Sequence, residues 1–404
     1  MWGDPHLITF DNVSYDFQAS GDFVLSRATD GPDYEVQARF VELSSAASIT
    51  EAIGTSVAGK TVSVEANGEE GILLIDGQAT AIADGNSVTV GAGSISRNGQ
   101  RYDIDYGNGD TTSVDVFSSF LNVSPLPSGT RAPGSFEGLF GNGDNNPSND
   151  FQLADGTPLS TPLPVDILYG DYAQSWLVED NDSLLPGTAE EYAAPERVLT
   201  IDSLPQSLRQ AAEDVVNAAG ITNPILRDAA ILDFALTQNE EFIEAARITD
   251  ATFDPIIDTV AVDPVVSPAV ILTSDLTELS EEDTTARKAT LTVARGSTTG
   301  DLTVRYDIEG VGINPISPDD LVNGITSGEV TIADGTDSAK FEVEIVDDLL
   351  IEETETFDVK ISLDDTQSSN FEILSSSVRF NVESNDKGSF IAVDAVDDAG
   401  DIFA

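Results

Sequence analysis

Between residues 7 and 130 apolar and polar positions alternate in short runs, and these are separated by Asn67-Gly68, Asp76-Gly77, Asp84-Gly85, Asn98-Gly99 and Asn108-Gly109. Asx and Gly tolerate the positive φ that two-residue hairpin turns demand, so the dipeptides fix where the chain reverses. The runs Tyr34 to Leu43, Thr61 to Ala66, Ile72 to Ile75, Ser87 to Val90, Tyr102 to Tyr106 and Ser113 to Val123 then read as strands of an antiparallel meander closing into a sandwich. Gly 32 and Pro 18 in 404 residues favour the same turn-rich β structure. Residues 46–58 are small and apolar with no clear period, and read as a loop or short helix.

The pattern changes after Trp176. Glu179-Asp180-Asn181-Asp182 opens an expected linker over 179–202. From 203 to 250 the period is helical, with start signals at Ser203 before Pro205, Asn223 before Pro224 and Asn239 before Glu240. Leu208, Ala212, Val215, Val216 and Ala219 form one apolar face ending at Gly220, a C-terminal cap. Ile225, Leu226, Ala229, Ala230 and Leu232 form the second, and Phe242, Ala245 and Ala246 the third. Three helices of this length hold too small a core to stand alone, so they are expected to pack on the first domain. Residues 251–265, with Pro255 and Pro264, read as a second linker. The two-residue period returns over 266–388, and 389–404 is an acidic tail.

Charge restricts the partners. Eighteen basic against 72 acidic residues give a net charge of -54, which repels phosphate backbones and anionic membranes while collecting divalent cations. Nucleic acid is excluded as an expected partner, and no apolar run reaches the ~18 residues a membrane-spanning helix needs. There is no Cys. Small extracellular modules usually rely on disulfides, so an exported bacterial protein is the expected source. Met1 directly precedes the opening motif, which suggests a segment of a longer chain with any targeting signal elsewhere.

Two stretches carry the chemistry. Gly138-Leu-Phe-Gly-Asn-Gly-Asp-Asn-Asn-Pro-Ser-Asn-Asp-Phe151 gathers side-chain oxygens at Asn142, Asp144, Asn146, Asn149 and Asp150, on a backbone curled by Gly and Pro. Such a shell suits Ca²⁺, which takes six to eight oxygens. An EF-hand alignment fails, because its Gly would fall on Pro147 and its bidentate Glu on Leu153. An Asx-rich turn held only by its own hydrogen bonds is the alternative. The second stretch opens the chain as Trp2-Gly3-Asp4-Pro5-His6-Leu7-Ile8-Thr9-Phe10-Asp11-Asn12, and Tyr172-Ala-Gln-Ser-Trp176 follows later.

These three motifs, in this order, resemble the von Willebrand factor type D domain over residues 1–178. The resemblance implies a Ca²⁺ site formed by Asp4 of the opening motif with Asn142, Asp144, Asn149, Asp150 and a carbonyl near Asn146. Gly21 and Phe140 stand where members usually have Cys, so the family's disulfide framework is absent. In some relatives the Asp-Pro bond of this motif cleaves itself; the corresponding residues are Asp4, Pro5 and His6. The helical segment resembles the helical region that follows type D domains.

Ala289-Thr-Leu-Thr-Val293, Gly300 to Tyr306, Gly328 to Ile332 and the acidic turn Val346 to Phe357 resemble the Calx-beta domain, an immunoglobulin-like sandwich, over 266–388. By position, that resemblance implies a second Ca²⁺ site from Glu281, Asp347, Asp348, Glu352, Glu355 and Asp386. The motif departs from the family at Asp319-Asp320-Leu321 and at Glu383-Ser384-Asn385-Asp386, and an acidic cluster in so acidic a chain is also what a solvated edge looks like.

With one His and no Cys, thiol nucleophiles, thiolate zinc sites and most imidazole catalysis are excluded, and no nucleophile elbow, phosphate loop or dinucleotide fingerprint occurs. The chain therefore reads as mainly β and non-enzymatic. It is expected to be a calcium-binding adhesive segment of a large secreted or cell-surface protein, with other extracellular proteins or matrix glycans as partners. Self-cleavage at Asp4-Pro5, or service as an accessory module of a larger extracellular enzyme, is the alternative.

Overall fold

A computed structural model describes the chain except residues 32, 69, 254–256, 259, 262–267, 283, 348–352, 365 and 385–404. Alternation and turns build the first sandwich as the sequence demands. One sheet runs through Gly21–Ala28, Glu35–Ser44, Ala47–Val57, Lys60–Glu65, Ile72–Ile75 and Gln78–Ala79. The other runs through Ser87–Val90, Gly93–Asn98, Arg101–Asp105, Thr111–Val116 and Leu121–Leu126. Alternate residues Val36, Ala38 and Phe40, with Val62 and Val64, point inward against Ile95, Ile104, Val114, Val116 and Val123 in one core. Asp76 and Gly77 have φ of 52° and 73°, the pair of positive values the hairpin turn requires.

Two expectations are corrected here. Residues 47–57, read as part of a loop or short helix, form an 11-residue strand. Its small residues are needed because residues 179–202, expected as a linker, run over it: a Cβ on Gly54 would lie 2.4 Å from the Leu184 carbonyl oxygen. That covering segment is hydrogen-bonded to the sheet, with Gln37 Nε2 donating to Asp182 O (2.9 Å) and Leu184 N donating to Gln37 Oε1 (2.7 Å).

The opening residues form a separate hairpin, β1 (His6–Ile8) and β2 (Val13–Asp16), paired from His6↔Asp16 to Ile8↔Ser14. Ile257–Asp258 adds in parallel beside β2, so part of the expected 251–265 linker is strand.

Three helices follow: α1 (Gln206–Ala219), α2 (Pro224–Thr237) and α3 (Glu240–Asp250). The α1 helix ends at Gly220 with φ 76°. Asn223 caps α2 by accepting from Ile225 N and Leu226 N, and Asn239 caps α3 by accepting from Glu241 N. Ser203 does not cap α1; it closes a short turn with Thr200. Ala212, Val216, Leu226, Ala230, Ile231, Phe242 and Ala245 join Trp2, Phe117 and Phe120 of the first sandwich in a second core, which also takes in Ile271 and Leu374. Val215 is outside it, at 37% exposure.

The second sandwich pairs Ser327–Ile332, Leu302–Gly310, Glu355–Ser362, Ser377–Glu383 and Glu278–Ser280 in one sheet. Ser338–Glu344, Lys288–Arg295, Ala269–Ser274 and Glu372–Ser375 form the facing one, around a third core. It abuts the first at Val378↔Ser44, where Ser45 N donates to Ser377 Oγ (3.1 Å) and Ser376 N donates to Ser45 Oγ (2.9 Å). The chain is mainly β, as expected. Among the described residues no helix is long and apolar enough to cross a membrane.

Candidate metal centres

The Asn/Asp bend closes on the turn of the opening hairpin. Thr9 to Asn12 make that turn, with Asn12 at φ 65°. Asp11, 8% exposed, takes the amide of Asn145 on Oδ1 (2.9 Å) and that of Asn146 on Oδ2 (3.2 Å). Thr9 Oγ1 donates to Asp150 Oδ2 (2.6 Å). Within the bend, Asn142 Oδ1 accepts from Asp144 N, Asp144 Oδ1 from Asn146 N, and Asp144 Oδ2 from Asn149 Nδ2. Asn146 turns outward and takes Ser148 N and Oγ on its own oxygen.

Two oxygens of this shell, Asn149 Oδ1 and Asp150 Oδ1, are buried with no hydrogen-bond partner. Burial pushes the Asp150 carboxyl up to about 7, and the adjacent Asp11 carboxylate adds to the rise against the Thr9 hydrogen bond. A backbone with less room would not permit this: a Cβ on Gly141 would lie 2.5 Å from Asp150 Oδ1. Two acidic side chains side by side, with buried acceptors lacking donors, are the chemistry of an oxygen shell for a hard divalent cation. Asn142, Asp144, Asn149 and Asp150 lie together in the bend, and Asp11, absent from the sequence reading, joins them through the Asn145 and Asn146 amides.

Asp4 is placed elsewhere. The hairpin puts Asp11 at its turn and Asp4 at its open end, the length of β1 away, on the order of 10 Å at 3.3 Å per residue. There Asp4 meets His6 and Asp233 of α2, and the three ligand atoms lie within 4.8 Å of one another. His6 Nε2 is 2.7 Å from Asp4 Oδ1 and 2.8 Å from Asp233 Oδ1, while Nδ1 pairs with Asp16. Burial opposes charge on the imidazole, but Asp233, Asp4 and Asp16 outweigh it and hold His6 well above its ordinary range. Burial and the neighbouring Asp4 likewise push Asp233 well above the usual carboxylate range.

The acidic edge of the second sandwich is only partly described, since Asp348, Glu352 and Asp386 fall outside the described residues. Glu281 is buried at 4% exposure and Glu355 begins its strand. Asp347 is bound by the Arg287 guanidinium (2.8 Å), whose Nη2 also donates to the Glu281 carbonyl. A cation from the protein itself already serves this edge.

Beside that bend Trp176 Nε1 donates to Gln152 O at 3.0 Å. Residues 1–157 match the family model of the von Willebrand factor type D domain. The chain is 30% identical over 194 residues to human Mucin-4, covering 44% of this chain and 4% of that protein. It is 28% identical over 205 residues to human Sushi domain-containing protein 2 (46% and 23%), and 25% identical over 217 residues to Protein mesh of Bombyx mori (47% and 13%). The chain thus spans under a quarter of the length of each relative, and all three are animal proteins. Similar solved structures include the apo-form Calx CBD1 domain, with 16% identity and a TM-score of 0.24 over 30% of this chain and all of that one. The Calx CBD2 domain matches with 13% identity and a TM-score of 0.23, over 28% of this chain and 86% of that one.

Proposed function

We propose that this chain is a calcium-stabilised, non-catalytic structural segment of a large secreted or cell-surface protein, acting in adhesion or matrix assembly. The observation that carries the reading is the pair of buried oxygens without hydrogen-bond partners on Asn149 and Asp150, with the Asp11 carboxylate beside Asp150. Asp11, Asn142, Asp144, Asn149 and Asp150 would hold Ca²⁺, which when bound supplies the positive charge that adjacent buried carboxylates lack. These residues would tie the hairpin turn to the bend, fixing two loops 130 residues apart in the chain. An extracellular module of this kind binds with Kd on the order of 10⁻⁴ to 10⁻³ M. Its partners are proposed to be other extracellular proteins or matrix glycans, consistent with the mucin among its relatives.

Thermal melting in millimolar Ca²⁺ tests it. The parent is expected to gain several degrees over the metal-free protein, and Asp11→Asn and Asp144→Ala to lose most of that gain. An equal gain in both variants and parent overturns the proposal.

A further inference from the structure

We infer that Asp4, His6 and Asp233 form a second metal site, distinct from the bend, which takes a borderline divalent cation of the Zn²⁺ class. With both carboxyls ionised, hydrogen bonding alone does not satisfy this cluster. Nε2 carries at most one proton, yet two carboxylate oxygens lie 2.7 and 2.8 Å from it. Asp233 takes that hydrogen bond, leaving Asp4 Oδ1 and Asp233 Oδ2 buried without partners. The side chains of Asp4, His6 and Asp233 are 3%, 2% and 0% exposed, so bulk solvent does not reach them.

The donor set selects the ion. One imidazole nitrogen with two carboxylates suits Zn²⁺, Mn²⁺ or Co²⁺, whereas Ca²⁺ wants six or more oxygens. Around a metal at ~2.0 Å, tetrahedral ligands sit roughly 3.3 Å apart, so the two N···O separations have to open by about half an ångström. Asp16 accepts from Nδ1 on the other side of the ring, which fixes the tautomer that frees Nε2 as a ligand, the outer-shell arrangement metal-bound histidines commonly have. The walls are apolar. The Trp2 ring lies 4.4 Å from the imidazole, and Gly3, at φ 60°, leaves the space that Asp233 Oδ2 fills, where a Cβ would approach to 2.6 Å.

On binding, the Nε2 proton and any carboxyl proton pass to solvent and three metal–ligand bonds form. The ion would bolt the opening turn to α2, joining parts of a chain without cysteine that are 227 residues apart.

His6 is the only histidine, so ¹⁵N-edited NMR of the full chain reads one imidazole. On titration with Zn²⁺, its Nε2 resonance is expected to move to the metal-bound position while Nδ1 stays protonated. One equivalent of zinc is expected to survive desalting. Asp233→Asn should lower zinc affinity at least tenfold, and Asp16→Asn about 10–100-fold. Asp144→Ala, which touches only the bend, should retain zinc as the parent does. Nε2 remaining protonated in saturating Zn²⁺ overturns the inference without recourse to any variant, and so does loss of zinc in Asp144→Ala.

Discussion

Glu278 shows how a single buried carboxyl contributes to the pH response of the second sandwich. Its Oε1 accepts from Asn381 Nδ2 at 2.9 Å, yet burial raises its pKa to about 7 and Glu383 nearby adds to the rise. A carboxyl whose folded pKa exceeds its unfolded value of ~4.3 binds more protons in the folded state between those two values. Its ionisation therefore costs stability that is fully felt above pH 7 and absent below pH 4. Glu278→Gln is expected to stabilise the protein at pH 8 by on the order of 1–3 kcal/mol, and to change little at pH 4, measured by chemical denaturation at the two values. A variant no more stable than the parent at pH 8 refutes the assignment. The bend residues were legible because five side-chain oxygens fall among nine residues; three of them, on Asn142, Asp144 and Asn146, accept the bend's own amides, as in any Asx-rich turn. Asp11 was legible in principle. Alternating runs on either side of Asp11-Asn12 mark a hairpin turn, and a hairpin whose turn meets the bend necessarily carries Asp4 away from it. Asp233 had no such signal, since it is one of two acids, with Asp228, in an apolar helix 227 residues from its partner.

The helices illustrate what period alone does and does not give at the scale of an element. Their caps and faces follow from sequence, because Asn before Pro or Glu and apolar residues three and four apart act locally. Their docking does not. Phe242 of α3 stacks on Phe120 with ring centroids 4.4 Å apart, and Phe120 stacks in turn on Phe117 at 4.6 Å. Beside them Glu241 accepts from the Ser118 amide and hydroxyl. Only the folded first sandwich brings Phe117 and Phe120 to that place. Phe242→Ala is expected to cost about 3–5 kcal/mol, as a buried ring removed from a packed core, read from urea denaturation. Asn223→Ala removes the acceptor for two α2 amides, and is expected to cost about 1 kcal/mol. If the two losses are equal, the stack is not what holds the helices down. The strand at 47–57 was missed for the opposite reason, since its small residues answer to a covering segment that local pattern cannot show.

For the whole molecule the dominant fact is the charge of -54, spread over two sandwiches and a helical layer that share one apolar core, with a polar junction where the sandwiches abut. Ser45, Ser376 and Glu196 bond across the junction, Ser376 Oγ donating to Glu196 Oε2 at 3.0 Å, and Arg379 reaches Glu42 at 3.7 Å from its main partner Asp358. Arg197 pairs with Glu372 across the same junction, and two such basic side chains do little against the repulsion of so many carboxylates. Folding concentrates this charge, so mobile ions that shorten the screening length favour the folded state: the Debye length falls from ~8 Å at physiological salt to ~3 Å at 1 M. The melting temperature is therefore expected to rise steadily with NaCl up to about 1 M. If the bend holds Ca²⁺ as proposed, the ion acts there and not merely through screening, so millimolar CaCl₂ is expected to raise the melting temperature more than NaCl or MgCl₂ at the same ionic strength. Mg²⁺ is the sharper control, because it carries the same charge but demands a tight octahedral shell and gives up its waters reluctantly. Equal shifts for the three salts would make the gain a property of net charge alone, whereas an excess for Ca²⁺ that vanishes in Asp144→Ala assigns it to the bend.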